Sequence, residues 1–89
     1  MTPDRLLAEL EALALRLGID LRTEHFDPDL LEREGGLCWI HGKPAVLIDE
    51  SRTVADRTAT LARALAEFDV DSVYVAPFVR ARIEAERRK

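Results

Sequence analysis

Apolar residues recur at three- and four-residue steps near the start of the chain: Leu6, Leu10, Leu13 and Leu17, with Leu7 and Ala14 beside them. That spacing predicts an amphipathic helix over Thr2–Leu17. Thr2 suits its N-cap, Pro3 its first turn, and Gly18 a left-handed stop. The period then changes. Ile19, Leu21 and Thr23 alternate with Asp20, Arg22 and Glu24, which predicts a half-buried strand at a sheet edge. Pro28 to Gly36 carries turn signals at both ends and reads as a loop, or as one helical turn using Leu30 and Leu31.

Two β-rich runs follow, Leu37–His41 and Pro44–Asp49, separated by Gly42-Lys43. Glycine at the first central position predicts a type II′ hairpin in which His41 faces Pro44 and Trp39 faces Val46. Leu37, Trp39, His41, Val46 and Ile48 then share one face, and Cys38, Ile40, Ala45 and Leu47 the other. Thr53 with Asp56 approximates a capping box and opens a second helix, whose buried stripe is Val54, Thr58, Leu61, Ala62, Leu65 and Phe68. Asp71–Ala76 reads as a short strand, parallel to the second hairpin strand after a right-handed crossover. Pro77 starts a third helix anchored by Phe78, Val79 and Ile83. The expected fold is α+β: a three- to four-stranded mixed sheet containing a β-hairpin, packed against three helices in the order α-β-β-β-α-β-α. Leu10, Leu13, Trp39, Leu47, Leu61 and Leu65 are its expected core.

Length and composition fit this picture. Eighty-nine residues, 47% apolar and 34% charged, suit one globular domain over residues 1–89. No apolar run approaches the roughly 20 residues that span a bilayer. The N-terminus lacks the basic and apolar regions of a secretory signal. The single cysteine makes no internal disulfide, and a cytoplasmic location is expected. Net charge is −4, distributed as −5 over residues 1–36, −2 over 37–71 and +3 over 72–89. An acidic body with basic residues at Arg80, Arg82, Arg87, Arg88 and Lys89 is a poor surface for a nucleic-acid backbone. Those cations suit a helix C-terminus.

Candidate chemistry is sparse. Cys38 and His41 make a C-x-x-H spacing, but residues an odd number of positions apart on a strand point to opposite faces. A zinc site also needs more ligands, and the only other histidine is His25, with no second cysteine. Asp49 and Glu50 lack a neighbouring base or nucleophile and read as helix-entry acids. Ser51 and Ser72 lie in no nucleophile elbow, and no glycine-rich phosphate loop is present. No cofactor is implied.

Gly36-Leu37-Cys38, the run Val46-Leu47-Ile48-Asp49, and then Arg57-Thr58-Ala59-Thr60-Leu61-Ala62 resemble the front of ImmA/IrrE-type metallopeptidase domains, over residues 1–67. In those a helix and a hairpin precede a helix carrying the zinc motif H-E-x-x-H. Here the matching stretch is Arg63-Ala64-Leu65-Ala66-Glu67. The two ligand positions hold Arg63 and Glu67, and the base position holds Ala64. Without both histidines the zinc chemistry has no support. The resemblance thus implies a chemistry-free relative whose remaining use is binding.

The expected function is a small, non-catalytic protein-interaction or regulatory module, working as a homodimer or with another protein. A small-molecule binder or small enzyme is the alternative, and a nucleic-acid accessory using the basic C-terminal helix comes third. The candidate surface is Trp39, Tyr74, Phe78, Val79, Arg80 and Arg82, where large apolar side chains exceed what the sheet and helices bury.

Overall fold

The computed structural model describes residues 2–25 and 36–88. The elements are α1 (Pro3–Arg16), β1 (Asp20–Glu24), β2 (Gly36–Ile40), β3 (Lys43–Asp49), α2 (Val54–Leu65) and α3 (Pro77–Arg87). The fold is α+β, with three helices on a three-stranded mixed sheet among the described residues. The expected reading of residues 28–35 lies outside the described residues.

Local chemistry sets the helix ends. The Thr2 hydroxyl accepts a hydrogen bond from the Arg5 N–H at 3.1 Å. The Thr53 hydroxyl accepts one from the Asp56 N–H at 3.0 Å. Each satisfies a donor that the first helical turn leaves open. Gly18 ends the α1 connection at φ +78°, a conformation that costs glycine little. At the far end, the Arg87 guanidinium donates to the carbonyls of Ala66 and Phe68, at 3.1 and 2.7 Å. It thereby closes the C-terminus of α2 and ties α3 to it.

β3 is the central strand, in the order β1-β3-β2. β1 runs parallel to it, with Leu21 opposite Val46, and β2 runs antiparallel, with Leu37 opposite Val46. The helices cover one face. Ile19, Val46 and Ile48 meet Leu10, Leu13, Leu61, Leu65 and Ile83 there in one buried cluster. Strand alternation puts Cys38, Ile40, Ala45 and Leu47 on the other face.

Three expectations are corrected. First, the hairpin turn is His41-Gly42, not Gly42-Lys43. Ile40 faces Lys43 and Trp39 faces Pro44. Both turn residues have positive φ, +51° at His41 and +80° at Gly42, as in a type I′ turn rather than II′. Histidine is among the residues that tolerate this region. The pairing moves by two residues, so the division into faces is unchanged. His41 itself leaves the strand for the turn.

Second, Asp71–Ala76 is not a strand. The Asp69 carboxylate accepts from the Asp71 N–H at 2.9 Å, and this local turn competes with an extended ladder. Val70 and Val75 are buried and pin the segment to the core. The alternating pattern is thus satisfied by packing without pairing. The strand parallel to β3 is β1.

Third, the core differs from expectation at two positions. Leu10, Leu13, Leu61 and Leu65 are fully buried, whereas Trp39 is 63% exposed. Leu47 is half-buried on the face away from the helices. Trp39 is on the helix-facing side, but of the outermost strand and next to the turn.

Candidate interaction surface

The six expected surface residues separate. Trp39 and Tyr74 are 63% and 75% exposed. Phe78 packs half-buried against the core. Val79 is 3% exposed and belongs to the core, a correction to its expected place in a patch. Its position on α3, four residues before Ile83, turns it toward α2. Arg80 pairs with Asp71. Arg82 donates to Glu86 at 2.7 Å. Glu86 is a buried carboxylate, and the Arg63 guanidinium stands 4.0 Å from it. A buried carboxylate needs such partners to remain charged.

Three of the five C-terminal cations, Arg80, Arg82 and Arg87, are therefore engaged by partners within the chain. Arg88 is exposed. The basic end of the chain acts on α2 and on Asp71 before it can act on a partner.

The exposed indole of Trp39 leans on Phe68, with ring centroids 6.5 Å apart and planes tilted by 37°. That separation lies within the range of favourable aromatic pairs. Phe68 was legible only as part of the α2 stripe. It lies beyond the end of α2, and no local signal in the sequence gives its contact with Trp39.

β2 carries Trp39 at an edge of the sheet. Gly36, Leu37, Cys38, Trp39 and Ile40 hold no charge. The opposite edge, β1, is Asp20-Leu21-Arg22-Thr23-Glu24, and the Arg22 guanidinium donates to Asp20 at 2.9 Å. That bond and the adjacent negative charge raise the Arg22 pKa further. Among the described residues, no strand pairs with the outer side of either edge. Charge is the usual guard of an exposed edge; β1 has it and β2 does not.

The sheet face away from the helices continues the apolar character of β2. Cys38, Ile40 and Leu47 are half-buried and Ala45 fully buried. Ala45 is a small side chain on the central strand between Cys38 and Asp20. A hollow of about 290 Å³ opens beside it, lined by Asp20, Arg22, Ile40, His41, Lys43 and Ala45. A larger, mostly apolar hollow of about 410 Å³ lies between the helices, lined by Thr2, Pro3, Leu6, Ala55, Thr58 and Arg82.

The polar groups at the end of β3 serve the backbone. The Asp49 carboxylate accepts from the Ser51 N–H at 2.9 Å and from the Ser51 hydroxyl at 2.7 Å. These bonds hold the Asp49 pKa below its ordinary value, because they favour the charged form. His25 Nδ1 is 4.0 Å from the same oxygen. The Ser51 proton therefore points to the carboxylate and not to the imidazole, the reverse of an activated serine. Among the described residues no group of three or more His, Cys, Asp or Glu side chains is placed to hold a metal ion. No helix among them is long and apolar enough to cross a membrane.

No protein-family model, no curated protein and no solved structure matches the chain. The structure places the three residues of the Arg63–Glu67 stretch singled out in the sequence as follows. Arg63 faces Glu86, Ala64 is buried, and Glu67 lies exposed past the end of α2.

Proposed function

We propose that the chain is a non-catalytic protein-interaction module, chemistry-free in the manner its resemblance to the metallopeptidase front implies, and that it works as a homodimer. The carrying observation is the uncharged edge strand β2 with Trp39 63% exposed on it. An unguarded edge is a template for another strand. A large exposed aromatic is the side chain that most often anchors a protein contact. Self-association of a short strand and one indole is weak and depends on concentration.

The apolar hollow of about 410 Å³ supports a small-molecule reading less well. Arg82, the one charged lining residue among the described residues, is already engaged by Glu86.

The test is mass in solution. Light scattering across the micromolar range should give twice the 10.0 kDa chain mass at the high end. Trp39→Lys should return the chain mass with an unchanged circular dichroism spectrum, since the indole is largely in solvent. A wild-type protein that stays at chain mass throughout would move the reading to the small-molecule class.

A further inference from the structure

We infer that two copies of the chain join β2 to β2 across a two-fold axis at Cys38, making one continuous six-stranded sheet. This rests on the homodimer reading and gives it a partner strand and a register.

The ladder of the hairpin decides which backbone groups are free. In an antiparallel pair, hydrogen-bonded and non-bonded residue pairs alternate, and a two-residue turn is closed by a bonded pair. Ile40–Lys43 is that pair, followed by Cys38–Ala45 and Gly36–Leu47. The N–H and C=O groups of Leu37 and Trp39 therefore point away from β3, toward the edge that no strand among the described residues pairs with. Pro44, which has no N–H, sits opposite Trp39, where none is owed to β2.

A second strand must offer its own outward groups to these. Antiparallel pairing of β2 with its copy does so when Leu37 faces Trp39 of the other copy. This register uses all five residues, and places Cys38 directly opposite Cys38 in a non-bonded pair. Such pairs bring their Cα atoms to about 4.5 Å, inside the disulfide range of about 4.4–6.8 Å. The indole of each Trp39 then lies over Leu37 of the other copy on the helix side. Cys38 and Ile40 extend the apolar surface on the opposite side.

Charge selects this occupant. Pairing β1 with its own copy about Arg22 would set Arg22 against Arg22, and like charges directly opposite are destabilising. Pairing β1 with β2 would set Asp20, Arg22 and Glu24 against a strand with no countercharge. It would also leave an edge open at each end, so the chain would grow without closing. Pairing β2 with β2 opposes no charges and closes.

The single thiol reports the register. Diamide takes one hydrogen from each of two facing Cys38 thiols and is reduced to the hydrazine as the disulfide forms. The wild-type dimer should convert almost wholly to a cross-linked species on a non-reducing gel. Moving the thiol with Cys38→Ser plus Ile40→Cys should abolish cross-linking, because the two residues 40 are offset by four positions, about 13 Å along the strands. Scattering on the same samples separates the outcomes. Dimer mass with efficient Cys38 cross-linking, and none at residue 40, supports the inference. Dimer mass without Cys38 cross-linking, or with equal cross-linking at both positions, overturns this register while leaving the homodimer. Chain mass throughout overturns both.

Discussion

The two edges of the sheet flank the same central strand, yet they are built differently. β1 turns Leu21 toward the buried layer and presents Asp20, Arg22 and Glu24 along its exposed side. β2 sends Leu37 and Trp39 toward the helices, but Trp39 stays 63% exposed and nothing on the strand is charged. Burial does not force the difference, because each strand has one face against the core. Charge at an edge prevents association. Its omission from one edge and not the other is what the sequence would show if only one edge were meant to meet another chain.

Both edges rest on the layer formed by α1, α2 and β3, and breaking that layer should have the largest effect. Leu61 is fully buried at its centre. Leu61→Ala should cost on the order of 2–5 kcal/mol, the usual range for a large-to-small change in a core. Against a total of about 5–10 kcal/mol for a domain of this size, that endangers folding itself. Urea denaturation followed by circular dichroism measures it. Dimer mass should fall in step with the folded fraction, because the edge strand exists only in the native sheet. A loss below about 1 kcal/mol would show that Leu61 does not hold the helices to the sheet.

The second effect exchanges the properties of the edges. Replacing Asp20, Arg22 and Glu24 together by threonine keeps strand propensity and removes the guard from β1. With two unguarded edges, each copy can pair on both sides. Scattering should then report species larger than a dimer that grow with concentration. A variant whose mass matches the wild type would show that charge on β1 is not what keeps that edge free.

Much of this frame was legible. The helical period, Thr2 and Thr53 as caps, Pro3 and Pro77 as helix starts, and the alternation of β1 are short-range signals, and each matches its element. The faces of the hairpin were legible even though the turn was not. A shift of two residues preserves alternation, and the left-handed His41 that moves the turn is a minority conformation. The strand over Asp71–Ala76 failed because Val73 and Val75 alternate for packing while the Asp69 turn ties up the backbone. Trp39 and Val79 were misplaced for a common reason. Size and apolarity say that a side chain prefers burial, but not whether its strand is central or outermost, or which neighbour its helix meets. The contrast between the edges could have been read from charge alone once both strands were placed.

The smallest effect concerns acid, and it separates the two edges without changing either. The bonds from Ser51 depress the Asp49 pKa below its ordinary 3.8. The unfolded chain then takes up the proton at a higher pH than the native one. The stabilisation is complete above the ordinary value and is lost as pH falls through the native value. Asp49 ends β3 opposite Glu24, and the Glu50 N–H donates to the Glu24 carbonyl at 2.9 Å. Protonation should therefore loosen the end of β1 more than β2. The stability difference between wild type and Asp49→Asn, measured by thermal melts, should be largest near neutral pH and shrink below about pH 4. Hydrogen exchange compared at pH 6 and pH 3, after correction for the intrinsic rates, should show faster opening at Glu24 and Glu50 than at Cys38 on acidification. Equal acceleration on both edges would mean that Asp49 acts on the whole sheet and does not secure β1 in particular.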